Sequence, residues 1–124
     1  MDIRRKQRAV VEALEDVKGH DIVVFNVGRL SPFFERVVIA SGDSSRQVRS
    51  LADSVQEKLH ALGARVHGIE GQATGDWVLV DLGDIVVHVM HPAVRSHYNL
   101  EEIWGGKLVK LAGHGKALPR RARR

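Results

Sequence analysis

Residues 75–104 read GDWVLVDLGDIVVHVMHPAVRSHYNLEEIW, and the first half of that stretch has the pattern of a β-hairpin. Segments 77–82 and 85–91 are rich in Val and Ile, residues that favour strands. Gly83 and Asp84 stand between them as a short connection with glycine first, which suits a primed hairpin turn. Such a turn sets a register in which Leu82 faces Ile85, Asp81 faces Val86, Leu79 faces His88 and Trp77 faces Met90. Because side chains alternate across a strand, the register sorts them into two faces. One carries Val78, Val80, Leu82, Ile85, Val87, Val89 and finally His91, and is almost wholly aliphatic, so it is a core face. The other carries Trp77, Leu79, Asp81, Val86, His88 and Met90. An indole, a thioether, a carboxylate and an imidazole together suit the centre of a partner interface, where Trp is enriched and Met adapts its shape. The alternative is that a crossing helix covers this face while Asp81 and His88 hydrogen-bond locally.

Outward from the hairpin, His91-Pro92 starts a helical turn or two over 93–98, since proline is well placed in the first turn of a helix. Segment 100–104 continues in similar style. Upstream, Ser44 with Gln47 three residues on fits a capping box. Val48, Leu51, Ala52, Val55, Leu59 and Leu62 then follow on one helical stripe that Gly63 ends. Residues 65–70 read as a short strand and 71–75 as a loop. Residues 3–18 form a first amphipathic helix through Ile3, Val10, Val11, Leu14 and Val17, with Gly19 at its C-cap. Residues 21–27 are a strand with a nearly continuous apolar run, as expected of one buried on both faces. A loop over 28–32 and a strand over 33–40 complete the order αββαβββα. That order implies an α/β fold, a mixed five-stranded sheet flanked by helices. The domain is read as 1–111, with 112–124 a basic, disordered tail.

A chain of 124 residues suffices for one domain with its own core. Without cysteine, disulfides, thiolate chemistry and cysteine-ligated zinc are all excluded. No apolar run approaches the ~20 residues of a membrane helix, and the N-terminus lacks a signal peptide's apolar core, so a cytoplasmic protein is expected. The net charge of +4 invites a nucleic-acid reading. Yet Lys116, Arg120, Arg121, Arg123 and Arg124 carry +5 within residues 114–124, which hold no acid. Removing them leaves the body near neutral. The cluster Arg4, Arg5, Lys6 and Arg8 is the solvated face of the first helix, with a phosphate-binding role as the alternative.

Searches for chemistry return little. His88 and His91 project to opposite faces of a strand and cannot share an ion, and no carboxylate joins His91 and His97 at convincing spacing, so no metal is assigned. Two-metal phosphoryl chemistry on a strand needs carboxylates at i and i+2, and no such pair occurs anywhere in the chain. Ser44 and Ser45 are explained by capping, and no G-x-S-x-G elbow exists. No catalytic residue and no cofactor is assigned.

Taken together, several segments resemble the ribosomal silencing factor (Iojap, RsfS) family. They are Val38-Ile39-Ala40-Ser41-Gly42, Ser45-Arg46-Gln47-Val48, Ala52-Asp53-Ser54-Val55 to Lys58-Leu59, GIEG at 68–71, WVLVDLGDIVVH at 77–88, His91-Pro92, and Arg95 to Trp104. Departures are Asn26, Phe34-Glu35-Arg36, Leu82 and Met90, where relatives often carry other residues. The resemblance implies a domain of nucleotidyltransferase-like shape without the catalytic carboxylates. It further implies a translational repressor, not an enzyme. Family members bind large-subunit ribosomal protein fourteen, block joining of the small subunit, and slow translation when nutrients run short. Carried over, the partner-binding surface comprises Trp77 and Tyr98 as aromatic anchors and Leu79, Met90 and Leu100 as apolar contacts. Asp81, Glu101 and Glu102 are its carboxylates, and His88 is a hydrogen-bonding member. A homodimer of the free protein and a secondary contact of the basic tail with ribosomal RNA stay open. So do two other classes of function: a degenerate, nucleotide-binding relative of the nucleotidyltransferases, and an RNA-binding module.

Overall fold

Asp2 is the polar residue just ahead of the first apolar helical stripe, and its carboxylate accepts from the Arg4 amide at 3.2 Å to open helix α1 (Ile3–Asp16). A computed structural model describes residues 1–105, 108, 109 and 111 of the chain. The buried stripe of α1 is Ala9, Val10, Val11, Ala13 and Leu14. Helix α2 (Ser45–Ala61) buries Val48, Leu51, Ala52, Val55 and Leu59 beside it. The Ser44 hydroxyl accepts from the Gln47 amide at 3.1 Å, as the capping box requires. The reciprocal arm of the box is displaced by one residue, because the Gln47 side chain accepts from the Asp43 amide at 2.7 Å. Its amide nitrogen meanwhile donates to the carbonyls of Val17 and Lys18, so one glutamine closes the ends of both helices.

The end of α1 departs from the sequence expectation. The left-handed residue is Lys18, with φ 62°, while the Gly19 amide donates to the Leu14 carbonyl at 2.9 Å. Space favours glycine at 19, since a Cβ there would lie 2.9 Å from a methyl of the buried Leu51 and 3.1 Å from the Leu14 carbonyl oxygen.

Five strands follow: β1 (His20–Asn26), β2 (Arg36–Ser41), β3 (Gly68–Glu70), β4 (Trp77–Asp81) and β5 (Ile85–Met90). They lie in the order β1-β2-β5-β4-β3, antiparallel except for the parallel pair β2–β5, so the sheet is mixed. The hairpin register is the expected one: Trp77 pairs with Met90, Leu79 with His88 and Asp81 with Val86. Gly83 turns the chain at φ 91° and the Asp81 carboxylate accepts its amide at 2.8 Å.

Helices α1 and α2 cover one face of the sheet, over a core that includes Val78, Val80, Leu82, Ile85, Val87 and Val89. On the opposite face a smaller core of Val23, Phe25, Val27, Val37, Ile39 and Met90 is partly roofed by helix α3 (Pro92–Tyr98) and a 3₁₀ helix (Leu100–Trp104). Strand β1 lies at the sheet edge, yet Ile22, Val23, Val24 and Phe25 are all buried. Its outer edge is met by Leu108, bridged to Phe25, and by the Val109 amide, which donates to the Val24 carbonyl at 2.7 Å. That cover, with apolar packing on both faces, accounts for the continuous apolar run of an edge strand.

Several boundaries move. Strand β2 begins at Arg36 rather than at 33, because the amides of Glu35 and Arg36 both bond to the Asp84 carbonyl and Phe33 is left 83% exposed in the preceding loop. Strand β3 has three residues instead of six, because its first residue, Gly68, already pairs with Asp81, the last residue of β4. The expected disordered tail, 112–124, lies outside the described residues.

Candidate partner-binding surface

The second face of the hairpin collects the site. Trp77 on β4 donates from its indole Nε1 to Nδ1 of His88 on β5, at 3.0 Å. An imidazole accepting at Nδ1 carries its proton on Nε2 and is neutral. Burial acts in the same direction, holding the His88 pKa down at about 4. The pair therefore stays a neutral hydrogen bond at physiological pH, and Trp77 is held in one orientation.

Helix α3 brings the second aromatic residue. The His91 side chain caps the helix by accepting from the Ala93 amide at 3.2 Å, and Pro92 occupies the first turn. Tyr98, at the far end, lies across Trp77 with ring centroids 5.0 Å apart and an interplanar angle of 49°. His97 meets Tyr98 edge-on at 4.9 Å. Tyr98 remains 56% exposed, so the stack has one wet side. Leu100, half-buried, joins the apolar cluster below it with Trp77 and Val94. The covered reading holds for part of this face. A short helix covers the end nearest β1 and β2, and the polar side chains bond locally, while Trp77, Leu79, Asp81 and His88 stay partly accessible.

Not every expected residue reaches the surface. Met90 is fully buried, because the roof of α3 and the 3₁₀ helix closes over that end of β5, so it supports the patch from beneath and cannot touch a partner. Glu101 is engaged within the molecule: its Oε2 accepts from both Nε and Nη2 of Arg95, each at 2.9 Å. Glu102 is exposed on the 3₁₀ helix, and Asp81 is half-buried at the turn end of the hairpin. The residue that sequence reasoning passed over is Arg95, 9% exposed and bonded to three separate segments. A separation of six between Arg95 and Glu101 is not a helix-surface pairing. The contact exists only because Asn99, left-handed at φ 48°, turns the chain between the two helices. Among the described residues no three His, Asp or Glu side chains assemble as a metal site would need.

Two helices on one face of a five-stranded mixed sheet, with a half-open aromatic cluster on the other, define a small α/β domain of a kind already seen in crystals. A Chromobacterium violaceum protein superposes with a TM-score of 0.84 at 49% identity, over 90% of this chain and 93% of that one. A Bacillus halodurans protein gives 0.79 at 33% identity, over 87% and 99%. The family model described as ribosomal silencing factor during starvation matches residues 1–123. The Chromobacterium violaceum ribosomal silencing factor RsfS is 50% identical over 112 residues, 90% of this chain and 92% of that relative. The chain belongs to the ribosomal silencing factor family.

Proposed function

We propose that the protein represses translation by occupying the large ribosomal subunit, seated on large-subunit ribosomal protein fourteen, so that its bulk keeps the small subunit from joining. The observation that carries this reading is the Trp77–Tyr98 stack, two large aromatic rings fixed in place with one side open. Rigid aromatic groups at the centre of a patch supply most of the energy in protein interfaces. Leu79 and Leu100 flank the stack, while Asp81 and Glu102 offer carboxylates to the lysine and arginine of a basic ribosomal protein. Such rim charges steer the encounter more than they hold the complex. No chemical step is needed, since occlusion is enough. Activity belongs in the cytoplasm under nutrient limitation, where idle large subunits are available.

The test is a titration of the protein with purified large subunits, small subunits and naked ribosomal RNA, followed by a subunit-joining assay. Selective binding to large subunits with loss of joining is expected. Binding to naked RNA alone would overturn the proposal in favour of the basic tail and α1 as an RNA-binding module.

A further inference from the structure

Helix α3 has seven residues, too short to hold itself without outside help. Tyr98 nevertheless stands in a defined stack on a different element, so something must fix the helix to the sheet. Val94 packs into the smaller core from the same helix and Tyr98 lies against Trp77, while Arg95 adds a set of polar ties. Arg95 lies one turn before Tyr98. From Nη1 its guanidinium donates to the Asp21 carbonyl at 2.7 Å and to the Ser41 hydroxyl at 2.9 Å. From Nε and Nη2 it donates to Glu101, as described above. One side chain thereby ties α3 to the start of β1, to the end of β2 and to the 3₁₀ helix.

The Asp21 carbonyl reaches it at a point where β1 is irregular. The ladder with β2 shifts register between His20 and Val23, and Asp21 sits at φ 52°. An irregularity of this kind locally disrupts the ladder. Here the Asp21 carbonyl meets the guanidinium. The neighbouring His20 ring bonds Asp21 at 3.1 Å and Asp43 at 2.7 Å, which pins the irregular segment to the loop before α2.

We infer that Arg95 is the positioning residue of the recognition surface, and that Glu101 is its internal counter-ion rather than a contact for the partner. This deepens the proposed function and rests on it. Removing Glu101 leaves a nearly buried guanidinium without its charge partner, a costly state that α3 relieves by shifting. Lysine at 95 keeps the charge but loses the planar fork that reaches three acceptors at once. Either change moves Tyr98 off Trp77 while leaving the outward charges of the patch in place. Glu102, the exposed residue beside it in the 3₁₀ helix, has the opposite role and meets the partner directly.

The experiment uses the full-length chain carrying Trp104→Phe, so that indole fluorescence reports Trp77 alone. Into it go Arg95→Lys, Glu101→Ala, their combination, Glu102→Gln and Trp77→Ala. Emission of the free proteins and affinity for purified large subunits are measured at several salt concentrations. Arg95→Lys and Glu101→Ala are expected to shift Trp77 emission in the free protein and to lower affinity about tenfold. The double variant is expected to be no worse than either single one, and the salt dependence to match the parent's. Glu102→Gln is expected to leave emission unchanged and to flatten the salt dependence, as loss of a rim charge does. A flattened salt dependence for Glu101→Ala with unaltered emission would make Glu101 a direct contact and overturn the inference. Parental affinity and emission in Arg95→Lys would overturn it as well. Trp77→Ala separates the two levels. Parental affinity there overturns the proposed surface itself, whereas its loss beside an unaffected Arg95→Lys overturns only the positioning role.

Discussion

The two faces of the β4–β5 hairpin are made of alternating residues from the same short stretch, and they differ in almost every physical property. Toward α1 and α2, Val78, Val80, Leu82, Ile85, Val87 and Val89 are each at most 1% exposed and carry no polar side-chain atom. Toward α3, an indole, an imidazole and a carboxylate share the surface with Leu79, and each polar group is engaged locally. The first face has two full helices over it. The second has one short helix and a 3₁₀ turn, which leave the hairpin half uncovered. A core face asks only for apolar volume at close packing. A face that stays partly open needs its polar groups satisfied and its aromatic groups held, and Trp77, His88 and Tyr98 meet both needs with one hydrogen bond and one stack. The contrast separates the face that stabilises this protein from the face it leaves partly open to solvent.

Substitutions on each face should break the comparison in different observables. Ile85→Ala on the core face is expected to destabilise the fold by roughly 3–4 kcal/mol, read by urea unfolding, through lost burial and the cavity left behind. His88 on the other face should give the next largest effect, through pH. Its pKa falls from 6.5 in the unfolded chain to about 4 in the fold, so below 6.5 the unfolded chain binds the extra proton and the folded one does not. Stability is therefore full above 6.5 and declines as the pH drops toward 4, by up to about 3 kcal/mol from this residue. His88→Gln keeps an acceptor for the Trp77 indole and removes the titration. Subtracting its unfolding free energies from the parent's across that range should isolate the slope, and parallel curves would refute it.

Trp77→Ala and Tyr98→Ala should each cost upwards of ~2 kcal/mol of affinity for large subunits. Tyr98→Ala should also leave the urea midpoint nearly unchanged, since the ring is more than half exposed. A variant that unfolds earlier yet binds as before would place Tyr98 with the core rather than with the interface. The smallest effect belongs to His20, on the edge strand β1. Burial acts to lower its pKa, but hydrogen bonds and charge attraction from Asp21 and Asp43 outweigh that and raise it above 6.5. The sign is opposite to that of His88. Its contribution is complete below 6.5 and is lost as the pH rises through the elevated value. Asp43→Asn should remove most of that dependence in the same unfolding series.

Much of this was legible from local pattern. The hairpin register followed from the glycine-first turn and strict alternation, and the core face from its aliphatic side chains. The apolar stripe of α2 followed from helical spacing. That Trp77 and Tyr98 belong to one surface was an expectation from resemblance to a family, and their contact was not legible at all, because one lies on a strand and the other on a helix and no spacing rule relates them. The expected starts of β2 and β3 failed where a partner strand ran out, which no local propensity records.

For this chain, then, sequence alone determined the faces of its elements, because periodicity is a property of neighbouring residues. It also determined the elements' order and the absence of paired strand carboxylates. Tertiary structure alone decided which polar groups those faces could spare. Met90 was withdrawn into the smaller core by the roof that α3 and the 3₁₀ helix place over it. Glu101 was claimed by Arg95, whose other partners lie 54 and 74 residues away in the chain. A guanidinium that joins three segments is defined by distances in space, and those distances exist only once the sheet and helices have closed around it.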